Sequence, residues 1–541
     1  MRDLLQLRMG AADSRRSSMA TVSEWLHQAM VLQQQGRLEE AERIYRQLAE
    51  ERPEHADVWH LLGLAAAERG RLEEAAQLMA RAIQLEPRAP FYHNNLGNVL
   101  QDLGRVADAI LCYREALRLD GNYREAYNNL GVALDAAGRP EEALACFQQA
   151  IAISPQYAEA FNNLGNTLYR MGLREEALAC YDHAVELDGG YADALVNLAN
   201  VFIERGYLAE AGVCVERALR SAPQHAKAHW TAALLLLMTG HFERGWMEYE
   251  WRWKARGIAE RSWRQPRWDG GRLEGRRLLV WAEQGLGDTL QFVRYVRRLA
   301  EQGAEVIFEC QPRLRRLLAP LAGKLGIQRL IEPGEEPGEF DVHTALLSVP
   351  GLVGTTVESI PWPGPYIEAD EELRACWGSE LVRRLGEPGR RLWVGLCWAG
   401  SAEHVNNQAR SMRWEDMARL LDVPGVEFVS LQRGCEREVE GYGGRLHRVE
   451  SQEHGVEDTA AIVAHLDLVI TVDTMVAHLA ASMGKPVWNL LSFVADWRWL
   501  TGREDTPWYP SMRLWRQSAP GDWSGVVERV AAELGQWVRR S

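Results

Sequence analysis

The sequence predicts an α-solenoid followed by an α/β region of two Rossmann-like domains. Three observations predict it. Glycine and alanine recur every 34 residues through the first half, as at Gly36, Gly70 and Gly104. Tryptophan then crowds the second half: of 21, only Trp25 and Trp59 precede Trp230. From residue 276 onward, short apolar runs alternate with helical patterns, which implies parallel sheets covered by helices. At roughly 100–200 residues per domain, 541 residues allow about three domains.

The repeat sets the first half. Gly36 through Gly206 form one 34-residue series, continued by Gly240. Gly63, Gly97, Gly131 and Gly165 form a second, with Ala199 next. Ala41, Ala75, Ala109, Ala143, Ala177 and Ala211 form a third, and Pro53, Pro87, Pro155 and Pro223 mark breaks. Helix, turn, helix and break at this period is the tetratricopeptide (TPR) pattern. The first glycine series ends a helix where positive φ is wanted. The second lets two helices approach closely, and the prolines stop the second helix. No repeat buries its apolar face alone, so stacking must do so. The spacing predicts a flexible N-terminus over 1–20, six full repeats over about 21–223 and an atypical seventh to about 255.

A ladder of asparagines shares the period: Asn95, Asn129, Asn163 and Asn197, with Asn94, Asn128 and Asn162 beside three of them. Asparagine is a mediocre helix former, so repetition at one phase needs a reason. An amide can bond between repeats. It can also donate to and accept from a peptide backbone of any sequence along an inner groove.

The second half opens with an aromatic, basic segment whose Trp/Arg interleaving predicts a capping helix and a connector over 256–275 packed between domains. Strands follow at 276–283, 304–310 and within 340–350, with a helix from about Thr289 to Glu301. A Pro/Gly break at 361–365 precedes further strands at 391–400, 426–432, 466–473 and 485–491. These divide into an N-terminal half, 276–375, and a C-terminal half, 376–541. Ligands of such sheets bind at the carboxyl ends of the strands. Two segments lie there. GLGDTL (285–290) opens a helix, and Asp288 reads either as its cap or as a site acid. DTMVAHLAASMGKP (473–486) puts Asp473 at a strand end and Thr474 to His478 at a helix start, where free amides suit a diphosphate. His478 reads either as a core histidine or as a ligand.

Charge and composition exclude other classes. Lys+Arg 61 against Asp+Glu 75 gives −14, which argues against nucleic acid and anionic membranes as partners. The longest apolar stretch, near Trp230–Met238, falls far short of the ~20 residues that span a bilayer. The first residues lack the apolar core of a secretory signal, so a cytoplasmic protein is expected. Cys112, Cys146, Cys180 and Cys214 recur at the repeat period, and neither cysteines nor histidines show metal-ligand spacing. No metal or cofactor is expected.

D-T-x-x-A-H-L-A-x-x-x-G-x-P after a strand resembles the C-terminal domain of heptosyltransferases, and G-L-G-D-T-L resembles their N-terminal G-D-x-L turn. The W-A-G segment (398–400), the D-W-R-W-L…P-W-Y-P-x-M-R-L run (496–514) and the repeats extend the likeness to bacterial TPR-containing glycosyltransferases over about 21–535. That group is related in design to O-GlcNAc transferase and includes flagellin glycosyltransferases. The resemblance implies a GT-B fold and metal-independent, inverting transfer of a sugar from a nucleotide-sugar donor to a protein hydroxyl, with flagellin among the acceptors. It implies Asp288 as catalytic base and Arg410 as the cation that neutralises the leaving diphosphate. It implies donor contacts from Gly287, Gln432 (nucleobase), Asp473 (ribose or phosphate), Thr474, Ala477 and His478 (phosphates). The NNLGN runs resemble repeats whose inner-face asparagines hold extended protein substrates, which assigns Asn95, Asn129, Asn163 and Asn197 to acceptor binding. Glu457 or Asp458 falls near ribose, although Asp458 reads better as a helix cap. The alternative is a non-enzymatic TPR adaptor with a degenerate GT-B half.

Overall fold

The computed structural model describes residues 22–540, apart from 260, 262, 363, 402–406, 436, 443 and 450–453. The expected flexible N-terminus therefore lies outside the described residues. The chain divides into two compact units, Met1–Asn197 and Leu198–Ser541.

The first unit is a run of antiparallel helical hairpins. Its helices include Val22–Gln34 with Leu38–Glu51, Ala56–Glu68 with Leu72–Leu85, and Pro90–Asp102 with Val106–Leu119. Arg124–Ala136 pairs with Pro140–Ile153, and Ala158–Arg170 with Arg174–Leu187. The glycine series does what its phase requires. Gly104 turns the chain at φ 74°, where an L side chain would be strained. A Cβ on Gly97 would stand 2.5 Å from the Tyr113 ring, and one on Gly131 2.6 Å from Phe147. Ala75, Ala109, Ala143 and Ala177 are fully buried, so their small size sets the packing distance. Burial pushes the thiols of Cys112, Cys146 and Cys180 up to about 11, as expected of packing residues and not of nucleophiles.

The second unit begins with helices Leu208–Ser221, Ala226–Met238, Phe242–Tyr249 and Arg252–Ala255. The connector then lies along the first sheet: the Trp268 amide donates to the His343 carbonyl at 2.8 Å, and Trp263 meets Phe340 edge-on. That sheet has four parallel strands in the order β3-β2-β1-β4: β1 Arg277–Trp281, β2 Glu305–Glu309, β3 Ile327–Ile331 and β4 Val342–Ala345. The second sheet is also all parallel, in the order β10-β9-β8-β5-β6-β7. Its strands are β5 Leu392–Cys397, β6 Val426–Ser430, β7 Leu446–Arg448, β8 Leu468–Val472, β9 Val487–Leu491 and β10 Met512–Arg516. Renumbered from its own first strand, that order is the doubly wound 3-2-1-4-5-6.

Three strands depart from the sequence expectation: β3, β7 and β10 all sit at or next to a sheet edge, where the apolar run is short or interrupted. The expected helix from Thr289 is two, Leu286–Phe292 and Arg294–Glu301, and it starts earlier because Asp288 caps the Gly285 amide. The helix Glu371–Leu385, which the expected 375/376 boundary cuts, is one piece packed on Val456–Val463 of the second half.

Candidate functional site

Each sheet has one place where the chain winds away in opposite directions: between β1 and β4, and between β5 and β8. A crevice opens there at the carboxyl ends, because the flanking connections leave to opposite faces. Both sequence motifs fall at these points.

Beyond β1 the chain makes a constrained turn. Gln284 holds φ 63°, an uncommon conformation for a residue with a side chain. Its amide donates to the Tyr249 hydroxyl at 3.2 Å, and the buried Arg252 grips Glu283 at 2.7 and 3.1 Å. Burial pushes the Glu283 carboxyl up, against the pull of Arg252. The helix 286–292 follows, and Asp288 accepts from the Gly285 N–H at 2.8 Å. The cap anticipated for Asp288 is thus present. Its other oxygen accepts from Arg498, which also donates to Asp496 Oδ1 at 2.7 Å and Gln291 Oε1 at 3.0 Å and lies 4.5 Å over Trp497. Arg498 was not singled out from the sequence, where it stood within the 496–514 run.

Beyond β8, Asp473 ends the strand and the helix Met475–Ser482 begins. This helix packs against 286–292, and Gly287 permits it: a Cβ there would come within 2.9 Å of His478 Cδ2. Asp288, Gly287, Asp473 and His478 are therefore brought together around Arg498. Burial, then the neighbouring Asp496, pushes the Asp473 carboxyl up to about 6, against pulls from Trp499, Arg410 and Arg498. Burial and then the cations Arg498, Arg294 and Arg410 hold His478 well below the usual imidazole range, so it is neutral. Its Nδ1 meets the Tyr509 hydroxyl at 3.0 Å, and its ring stacks on Trp499.

Arg410 lies against Gly400 of the W-A-G turn, where a Cβ would meet its guanidinium at 2.7 Å. Its Nε is buried without a hydrogen-bond partner among the described residues. That is an orphaned donor beside the Asp473 turn, and it suits an anion.

The remaining expected donor contacts are engaged elsewhere. Thr474 turns its hydroxyl inward to Thr471 at 3.1 Å and Cys397 at 3.8 Å. Ala477 is fully buried, with its amide donating to the Thr474 carbonyl. The first amides of this helix, at Met475 and Val476, precede the first intrahelical donor at Ala477. Gln432 uses its carbonyl oxygen to tie down the Trp398 and Ala399 amides, at 3.2 and 2.9 Å. Asp458 caps Gly455 and accepts from Trp377, as anticipated for a cap.

In the first unit, the asparagine ladder is a chain of bonds between repeats. Asn95 bonds His60 at 2.9 Å, and Asn129 donates to Asn94 and Asn98 at 3.0 and 3.1 Å. Asn163 donates to Asn128 at 3.0 Å, and Asn197 to Asn162 and Asn166 at 2.8 and 2.9 Å. Asn129 and Asn197 spend both N–H groups within the solenoid, whereas Asn95 and Asn163 spend one each, so these half-buried amides retain both donor and acceptor capacity.

Among the described residues no helix is long and apolar enough to cross a membrane, and no group of three or more His, Cys, Asp or Glu side chains could hold a metal ion. Tetratricopeptide repeat family models match residues 26–91, 89–156, 158–191 and 192–225, so this stretch consists of TPR repeats. The chain is 30% identical over 338 residues to protein FlbA of Caulobacter vibrioides, covering 57% of this chain and 55% of that one. It thus spans about half the length of this curated relative. Similar solved structures include TTC0263, a thermophilic TPR protein of Thermus thermophilus (25% identity, 34% of this chain and 99% of that one, TM-score 0.31). A tetratricopeptide repeat protein from Parabacteroides merdae matches at 15% identity over 44% of this chain and 94% of that one, TM-score 0.38.

Proposed function

We propose that this chain is a metal-independent glycosyltransferase that moves a sugar from a nucleotide-sugar to a hydroxyl of a protein held by the repeats. One observation carries the proposal. Two aspartate-bearing turns, each at the switch point of its own parallel sheet, pack against one another at Gly287 and His478 and share Arg498. Such a crevice takes a nucleotide on one side and an acceptor on the other.

In the reaction, the acceptor oxygen bonds to the anomeric carbon while the bond from that carbon to the phosphate oxygen breaks. The acceptor proton passes to Asp288. Each carboxylate oxygen offers two lone pairs, and Gly285 and Arg498 occupy one on each, so Asp288 retains capacity as a base. The diphosphate leaves with the electron pair. Its charge is met by Arg410 and by the first amides of 475–482. Inversion follows from the heptosyltransferase resemblance.

The adaptor reading accounts equally for the engagement of Asp288 as cap and ion-pair partner. Release of free nucleotide from UDP-, GDP-, ADP-, CMP- and dTDP-sugars, with and without acceptor protein, separates the two. Transfer by the native chain, reduced ~10²–10⁴-fold in Asp288→Asn with folding retained, supports the enzyme. Equal turnover removes Asp288 from the chemistry, and no turnover with any donor favours the adaptor.

A further inference from the structure

We infer that the loop between β9 and β10, residues 492–511, is an internal clasp that locks the two α/β halves together, so that they move as one body and do not hinge apart. The inference rests on packing within 198–541 and holds whether or not the chain transfers a sugar.

Two facing α/β domains commonly close on a ligand by bending at a few residues between them. That motion needs a sparse interface and a free link. Neither is present. The loop is anchored at both ends in the second sheet, by β9 and β10, while its middle is buried against the first half. Trp497 and Trp508 are 2% and 0% exposed. Trp508 meets the Phe292 ring edge-on at 5.5 Å, and Trp497 lies 6.4 Å from that ring. Phe292 ends the helix that follows β1 of the first sheet. Loops normally run over the surface, because buried backbone must find partners. This loop finds them in the other half. The Trp508 carbonyl accepts from Arg294 at 2.8 Å, and Arg498 donates to Asp288 and, at 3.0 Å, to Gln291 Oε1. Within the loop Leu500 holds φ 54°, a conformation that persists where the surroundings over-determine it.

The helix Phe242–Tyr249 closes a third side. Its Trp246 packs edge-on against Trp497 at 5.3 Å, and the Trp246 indole N–H donates to the Thr355 carbonyl at 3.1 Å. Trp497 and Thr355 belong to different halves, so one tryptophan holds both. The link between the halves is pinned as well. Tyr366 is fully buried. Its amide donates to the Ser482 carbonyl at 3.0 Å, in the second half, and its hydroxyl to the Leu290 carbonyl at 2.9 Å, in the first. Arg294 donates to the same hydroxyl at 2.7 Å. Separating the halves would draw two indoles into water. It would also leave Arg294, which is buried and can only donate, without the Trp508 carbonyl.

The test is double electron–electron resonance on the full chain. Spin labels go on p-acetylphenylalanine at two exposed positions, Gln328 in the first half and Glu528 in the second, which leaves the eight cysteines unlabelled. The native chain should give one narrow distance, unchanged by UDP-, GDP-, ADP-, CMP- or dTDP-sugars. Two distances, or one that shifts when a nucleotide-sugar is added, would overturn the single body. Trp497→Ala with Trp508→Ala should broaden the distribution or add a second, longer distance. Arg294→Met, which keeps the aromatic packing and cuts the bonds to Trp508 and Tyr366, should do the same and stands in if the double variant does not fold. A narrow, unchanged distance in every folded variant would overturn the loop as the lock. The native readout needs no turnover, so the transferase reading can fail while the clasp stands, and the clasp can fail while transfer is observed.

Discussion

Replacing Asp288 by alanine should destabilise the second unit through two separable losses. The Gly285 amide loses its cap, which costs about 1 kcal/mol. Arg498 loses one of two carboxylates. Stranding a buried ion costs about 3–5 kcal/mol. Arg498 keeps Asp496 at 2.7 Å and Gln291 at 3.0 Å, so roughly half of that, about 2 kcal/mol, is expected. The side chains are 18% and 9% exposed, so solvent screens the pair little. Asp288→Ala should then cost about 3 kcal/mol in all. Asp288→Asn has a single amide oxygen, so it keeps only one of the two acceptor contacts and should cost about 2 kcal/mol. Arg498→Met removes the same bond from the other side, so the double variant should fall short of additivity by about 1.5–2 kcal/mol. Equilibrium urea unfolding followed by tryptophan fluorescence measures this, because 19 of the 21 tryptophans lie at or beyond Trp230. Additivity within about 0.5 kcal/mol would refute the coupling of Asp288 to Arg498.

Further expectations follow from other contacts. Gly97→Ala places a methyl 2.5 Å from the Tyr113 ring and should cost about 1–3 kcal/mol in the urea transition of the repeats, read by circular dichroism. Asn129→Ala breaks bonds to Asn94 and Asn98 and should cost about 1–2 kcal/mol, whereas alanine at the exposed Asn122 should change little. The folded Asp473 carboxyl, at about 6, lies above its unfolded value. Between pH 4 and 6 the native state thus holds the extra proton, so stability should fall as pH rises through that window. Asp473→Asn should flatten that part of the stability–pH curve, and an unchanged slope would mean that this carboxyl is not buried as described.

The repeats were fully legible in the sequence because each position in them has one local job. Gly104 must turn at positive φ, Gly97 must admit a ring, and Ala109 must be small. The alternation of strands and helices was legible too, but β3, β7 and β10 were not, because edge strands lack the continuous apolar run of buried ones. The site was half legible. Motif spacing located Asp288 and Asp473 at strand ends, yet nothing in the sequence shows that Arg498, 210 residues beyond Asp288, would close on it. Nor could periodicity decide whether the asparagines face a ligand or each other. That depends on the offset between stacked helices, which places Asn129 beside Asn94 and Asn98. Thr474 and Ala477 fell on the expected turn but point inward, since a helix start exposes its amides and not every side chain around it.

The most direct test is a thermal-shift panel of the full chain with nucleotides and nucleotide-sugars of the five base classes, alongside Asp473→Ala. A ligand at 100 times its dissociation constant adds about 2.7 kcal/mol. In a unit of this size that should raise the midpoint by a few degrees. One base class should stabilise the native chain and not the Asp473→Ala variant. Stabilisation by none of them, or equal stabilisation of both proteins, would contradict a nucleotide-sugar site at the β5/β8 crevice.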